Sequence, residues 1–185
     1  MATTTETQFR RGVEELTIDG KSHPLSGLFV VALRLVIGGV MLFAGIGKVI
    51  GEPFDASGYL VHGVDAASPV SGLYAAMASS AMLMDVINVV IPVTQVLIGA
   101  ALIVGAFVRL AALGGAIQML AFYLGGWNGE LLAMFDSTLV YAAVFLAVAA
   151  LGAGRVLGVD AYLERMQVGS RTLIERFPVL KYVLG

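Results

Sequence analysis

Lys48, Gln95, Tyr123 and Tyr141 are polar side chains that interrupt long apolar segments at matching positions. Lys48 lies 14 residues after Arg34, Gln95 14 before Arg109, Tyr123 14 after Arg109, and Tyr141 14 before Arg155. If the arginines mark a common plane, the four share one layer roughly 21 Å from it, at about 1.5 Å per helical residue. An ammonium, an amide and two phenols in one layer can hydrogen-bond a small polar head group. Polar groups inside a bilayer are costly, which makes them site candidates by default. The same residues also have a structural use, because tyrosines favour the membrane interface and a buried glutamine can join two helices.

The elements that must carry these residues follow from composition and charge spacing. The hydrophobic fraction of 58% is above, and the charged fraction of 13% below, those of soluble domains. A membrane domain is therefore expected. The first apolar run spans about residues 27–50. Between Asp85 and Arg109 lie 23 uncharged residues, between Arg109 and Glu130 another 20, and between Asp136 and Arg155 a further 18. Backbone groups in lipid must be satisfied within each segment, so these runs are expected to be helices. The alternating pattern of a membrane barrel is missing. The expected fold is all-α: a polytopic membrane four-helix bundle with short external helices and a C-terminal amphipathic helix.

Lysine and arginine set the expected orientation. Arg10, Arg11 and Lys21 precede the first run, Arg109 sits in the short second connection, and Arg155, Arg165, Arg171, Arg176 and Lys181 follow the last. The other two connections carry none. Both termini are expected to be cytoplasmic, in the cell membrane. The polar first 24 residues do not have the pattern of a cleavable signal peptide. Three regions are expected: a polar N-terminal segment over 1–24, the bundle over 25–156, and an amphipathic surface tail over 157–185.

Several chemistries drop out. The chain has no cysteine, and both His23 and His62 lie outside the apolar runs. Disulfides, thiolate-held metals and a haem between two intramembrane histidines are excluded on this chain, and no metal site is expected. No basic block suggests nucleic acid.

Arg34 and Lys48 can each extend toward the nearer interface as anchors. For Lys48 a second role stays open, since a positive charge on the outer side runs against the topology bias. Asp85 and Asp136 begin the second and fourth helices, where carboxylates suit the helix dipole. Either is a candidate ion-pair partner for Lys48. Pro92 frees the carbonyl of Asn88 and makes a polar defect beside Thr94 and Gln95. Small residues repeat at four-residue spacing in Ala111/Gly115, Ala112/Ala116, Ala121/Gly125, Ala143/Ala147 and Ala150/Gly154. Such faces suit close packing within the bundle or in a homo-oligomer.

"LRLVIGGVMLFAGIGKVI" resembles the opening helix of the DoxX/DoxD-like membrane proteins, with an arginine, an apolar stretch and an alanine-glycine-x-x-lysine turn at Ala44, Gly45 and Lys48. "GYL" at Gly58–Leu60, "LIGAALIVGAFVRLAALGG" at Leu97–Gly115 and "GAGRVLGVD" at Gly152–Asp160 match in style and position. The likeness covers roughly residues 28–163. Arg34, Lys48, Arg109, Arg155 and Asp160 are the residues that match the pattern. Gln95 departs from it, because many relatives have an acidic residue there, so a proton-transfer role is not carried over. The resemblance implies a four-helix membrane subunit in respiratory or sulfur redox chemistry, like that of a thiosulfate:quinone oxidoreductase. A quinone would then occupy the layer of Lys48, Gln95, Tyr123 and Tyr141, while a redox partner subunit brings the electrons. The alternatives are a non-catalytic scaffold and a small-solute transporter. The transporter is ranked last, because paired broken helices in matching halves are missing.

Overall fold

The computed structural model describes residues 24–130, 135–168 and 171–185. Helix α1 spans Pro24–Val49, α2 Ser71–Ala78, α3 Ala81–Val104, α4 Val108–Gly126 and α5 Ser137–Ala150. The segment expected as a polar N-terminal region lies, apart from Pro24, outside the described residues. The bundle consists of two tight antiparallel pairs, α1 with α3 and α4 with α5, joined chiefly along α3 and α4.

Within α1, Leu25–Val49 is long and apolar enough to cross a membrane, as are α3 and α4. Leu28, Phe29, Val36, Phe43, Val89, Leu97, Leu110 and Ile117 project outward from these helices. Outward apolar faces on every long helix are those of a chain solvated by lipid. The fourth helix is shorter than its uncharged run. α5 has 14 residues, about 21 Å against a hydrocarbon core of about 30 Å. Gly152 ends it by turning left-handed at φ 60°, and a 3₁₀ turn follows at Ala153–Arg155.

Local chemistry explains the other boundaries. Ser80 caps α3 through the Leu83 N–H, so the helix starts at Ala81, four residues before the Asp85 that bounds the uncharged run. Of the expected external helices, a π-helical turn at Tyr59–Gly63 and the short α2 are present. Asp136 caps α5 by accepting from the Leu139 N–H at 2.9 Å and from the Thr138 hydroxyl.

Helices α1 and α3 cross closely because their contact lacks side chains. A Cβ on Gly99 would come within 2.6 Å of the Leu42 Cα, closer than carbon atoms approach. Gly99, and Gly38 and Gly45 on the facing side of α1, are not among the small-residue repeats read from the sequence. Of those repeats, Ala111, Ala112, Gly115 and Ala116 are buried on α4, where Gly115 seats the Phe145 ring, whereas Ala143 and Ala147 face outward.

The end of the bundle bearing Arg34, Arg109 and Arg155 is closed by a polar knot. α4 opens on Phe107, which is left-handed at φ 52° and has no side-chain cap to offer. The cap comes instead from Asp160, which is fully buried and accepts from Phe107 N at 2.7 Å and Val108 N at 2.9 Å. Its Oδ2 also accepts from Gly185 N at 3.0 Å. Arg34 works at the opposite helix pole, after α5. Its guanidinium donates to the carbonyls of Ala153 at 2.7 Å, Val156 at 3.0 Å and Leu157 at 3.2 Å. A carboxylate at a helix N-terminus and a cation at a C-terminus both suit the helix dipole. Arg34 is 2% exposed, which corrects the expectation of an anchor extending to the interface.

Arg109 donates to the Lys181 carbonyl at 2.7 Å, and Arg155 pairs with Glu164 at 2.8 Å. The tail is more broken than one amphipathic helix. Helix α6 (Val159–Arg165) leads into a two-residue antiparallel ladder in which Gln167 faces Thr172. Thr172 then starts α7 (Leu173–Arg176) with a capping box to Glu175, and a 3₁₀ turn covers Pro178–Tyr182. Each new cap restarts the chain in another direction. Within the tail expected to be amphipathic, Met166 and Phe177 are exposed.

Candidate functional site

At the end away from the arginine knot, the connection between α1 and α3 folds back over the bundle. Its polar groups are used on the helices beneath it. Ala56 N donates to Asn88 Oδ1 at 2.8 Å. Tyr59 donates its hydroxyl to Phe122 O at 3.0 Å, and Tyr74 to Ala121 O at 2.8 Å. The Ser68 hydroxyl reaches Leu124 O at 2.6 Å, and Asp65 N reaches Gly125 O at 2.9 Å. Carbonyls in the last turn of a helix have no partner within it. The connection therefore both closes the C-terminal end of α4 and is held there.

Under this strap lies a cavity of about 500 Å³. Lys48 and Phe54 form one side, Tyr59 and Tyr74 the strap side, and Ile87, Ile91, Ala121, Phe122 and Thr138 the walls from α3, α4 and α5. Tyr59 meets the Phe122 ring edge-on at 5.5 Å. Burial, reinforced by Tyr74 and Asp136, pushes the Tyr59 phenol up to about 12. Burial also raises Tyr74. Both phenols therefore stay protonated and remain donors at physiological pH.

Among the described residues, Lys48 is the one charged residue lining the cavity. Its ammonium donates to Ala44 O at 3.1 Å, one turn back, and lies 5.7 Å from the centre of the Phe54 ring. The expected ion pair with Asp85 or Asp136 does not form among the described residues, where Arg155–Glu164 is the ion pair present. Asp136 is committed to capping α5, and Asp85 is exposed in the second turn of α3. An ammonium has three protons to donate, and one hydrogen bond is recorded for this one.

The four residues expected in one layer are not brought together. Lys48 lines the cavity, while Gln95, Tyr123 and Tyr141 do not. Tyr123 stacks edge-on against Trp127 at 5.8 Å, and Tyr141 packs on the apolar core. The count for Gln95 ran across the turn at residues 105–107, which adds almost no rise along the bundle axis. Gln95 instead packs beside Gly45 of α1 and next to Thr94. Thr94 accepts from Gln118 Nε2 at 3.3 Å, so Gln95 stands near the height of Gln118. Tyr123 is five residues further out, about 7.5 Å. Tyr59, Tyr74 and Gln118 were missed as site residues. The two tyrosines sit in short stretches with no helical period long enough to orient them, and Gln118 matched no arginine offset.

Within the described residues no group of three or more histidines or acids could hold a metal ion. No curated protein and no solved structure matches the chain. One family model does, over residues 29–127, from the first turns of α1 through the strap and cavity to the end of α4. This covers more than half of the sequence, and it includes Lys48 and every cavity residue except Thr138. The chain belongs to the DoxX family of membrane proteins.

Proposed function

We propose that this protein is a membrane subunit of a respiratory or sulfur-redox complex and binds a lipid-soluble quinone in the strapped cavity. The observation that carries this is Lys48, a cation without a counter-charge among the described residues, in an otherwise apolar cavity of about 500 Å³. A half-buried ammonium with a single acceptor, Ala44 O, is costly, and a carbonyl oxygen brought by a ligand offsets part of that cost. Phe54, Tyr59, Tyr74 and Phe122 supply faces and edges for a flat ring. The volume lies within the ~300–1,000 Å³ usual for small-ligand sites. Lys48 hydrogen-bonds and orients the ring, the strap excludes water, and a redox partner subunit supplies electrons. The likeness to DoxD and to thiosulfate:quinone oxidoreductases belongs to this proposal.

Photolabelling is the test. A photoreactive short-tail quinone, irradiated with the protein in lipid, should mark residues 54–77 and 121–122, with competition by unlabelled quinone. Labelling spread over the lipid-facing surfaces without competition would count against the cavity.

The arginine knot is placed on the cytoplasmic side, because lysine and arginine concentrate there. The cavity then opens in the outer half of the bilayer. In this cysteine-free chain, a single cysteine at the exposed His62 should react with an impermeant thiol reagent in intact cells, and one at the exposed Tyr182 should not. The reverse pattern would invert the topology.

A further inference from the structure

Beneath the cavity lie two polar groups that the site as described does not use. Gln95 is 2% exposed and Gln118 9%, and each leaves its Oε1 buried without a hydrogen-bond partner. Gln95 is one helical turn from Ile91 along α3, and Gln118 one turn from Phe122 along α4. Residues four apart share a helix face, and Ile91 and Phe122 both line the cavity. The two glutamines therefore lie under its floor.

The bonding of Gln118 fixes which of its atoms is free. The Thr94 hydroxyl donates to Val90 O at 2.6 Å, so toward Gln118 it can only accept. Gln118 meets it with Nε2 and keeps Oε1 as an acceptor. Lys48 lies three residues beyond Gly45, which packs at the height of Gln95, and so stands about 4.5 Å further along the axis. The site thus presents a donor at one level and, below it, the unpartnered acceptor of Gln118 beside the Gln95 amide. A buried acceptor left unpaired is costly, which calls for an O–H donor.

We infer that the layer just beneath the cavity floor is an acceptor subsite that selects the reduced, hydroxyl-bearing ring over the oxidised one. A quinol accepts from Lys48 with one oxygen and donates its other hydroxyl to a glutamine Oε1. A quinone satisfies Lys48 but leaves the Gln118 acceptor unpaired. Water is the other source of an O–H donor, and it would satisfy the floor whichever form is bound. This inference rests on the quinone proposal above.

The experiment compares a short-tail benzoquinone with its chemically reduced quinol, by equilibrium dialysis without oxygen against the full chain in lipid nanodiscs. One additional hydrogen bond corresponds to a preference of up to about tenfold for the quinol. Gln118→Met should bring the ratio toward one, and Gln95→Met should lower it less. Gln95→Met should melt at or above the wild-type temperature, whereas Gln118→Met also loses its hydrogen bond to Thr94 and should melt close to it. Equal affinity of the two forms for the wild-type protein, or the same ratio in both variants, would assign the floor to water and overturn the inference alone. Binding of neither form would overturn the quinone proposal with it. The wild-type ratio decides the matter even where a variant fails to fold.

Discussion

Asp160→Ala should destabilise the protein by about 3–5 kcal/mol, the range for removing one member of a buried charged network. Three backbone N–H groups, those of Phe107, Val108 and Gly185, lose their acceptor at once. Each buried unpaired donor costs about 1–3 kcal/mol. Phe107 cannot substitute as a cap, because its side chain carries no acceptor. The Arg34 guanidinium also loses the favourable charge of Asp160. Asp160→Asn should cost less, since one carbonyl oxygen remains to accept. Thermal melting in detergent, followed by loss of the monodisperse peak, measures the series. An Asp160→Ala variant that melts with wild type would show that the knot does not hold this end of the bundle.

Lys48→Met should weaken quinone binding roughly ten- to hundredfold, since a hydrogen bond to a charged group is worth about 1.5–3 kcal/mol. Its effect on stability should have the opposite sign from that of a broken ion pair. Had Lys48 been paired with Asp85 or Asp136, methionine would strand a carboxylate and lower the melting temperature. In the structure its hydrogen bond goes to Ala44 O and its charge faces Phe54. Removing the charge therefore strands nothing, and it relieves the desolvation cost of an ammonium in the last turn of α1. Lys48→Met should melt at or above wild type while binding less. That combination separates a ligand contact from a structural one.

Much of the bundle was legible because charges punctuate the apolar runs. The spacing from Asp85 to Arg109 and from Arg109 to Glu130 fixes helices α3 and α4 to within a few residues. The fourth helix was not legible in its length, because Gly152 and Gly154 interrupt an uncharged run without changing its hydropathy. Arg34 was misjudged for a related reason. Sequence shows its depth in a helix but not the carbonyls of Ala153, Val156 and Leu157, more than a hundred residues away, that make burial tolerable.

The site was legible at Lys48 and poorly elsewhere. Lys48 is a charge at a place where topology bias supplies no reason for it, and that signal survives folding. The offsets of Tyr123 and Tyr141 are equally regular in sequence, yet a helix rotates each residue by about 100°. Equal height therefore does not mean a shared face. The strap tyrosines owe their place to hydrogen bonds with α4 carbonyls, a pairing that no local pattern encodes.

Trp127, the single tryptophan, lies five residues beyond the cavity-lining Phe122, about 7.5 Å along the axis. Its fluorescence can be titrated with a short-tail quinone, in nanodiscs and corrected for inner-filter absorption. Quenching should saturate in the wild-type protein, and Lys48→Met should move the half-saturation point upward roughly ten- to hundredfold. Non-saturating quenching of the wild-type protein, or superimposable curves for the two proteins, would contradict a quinone site at Lys48 and leave a purely structural membrane subunit.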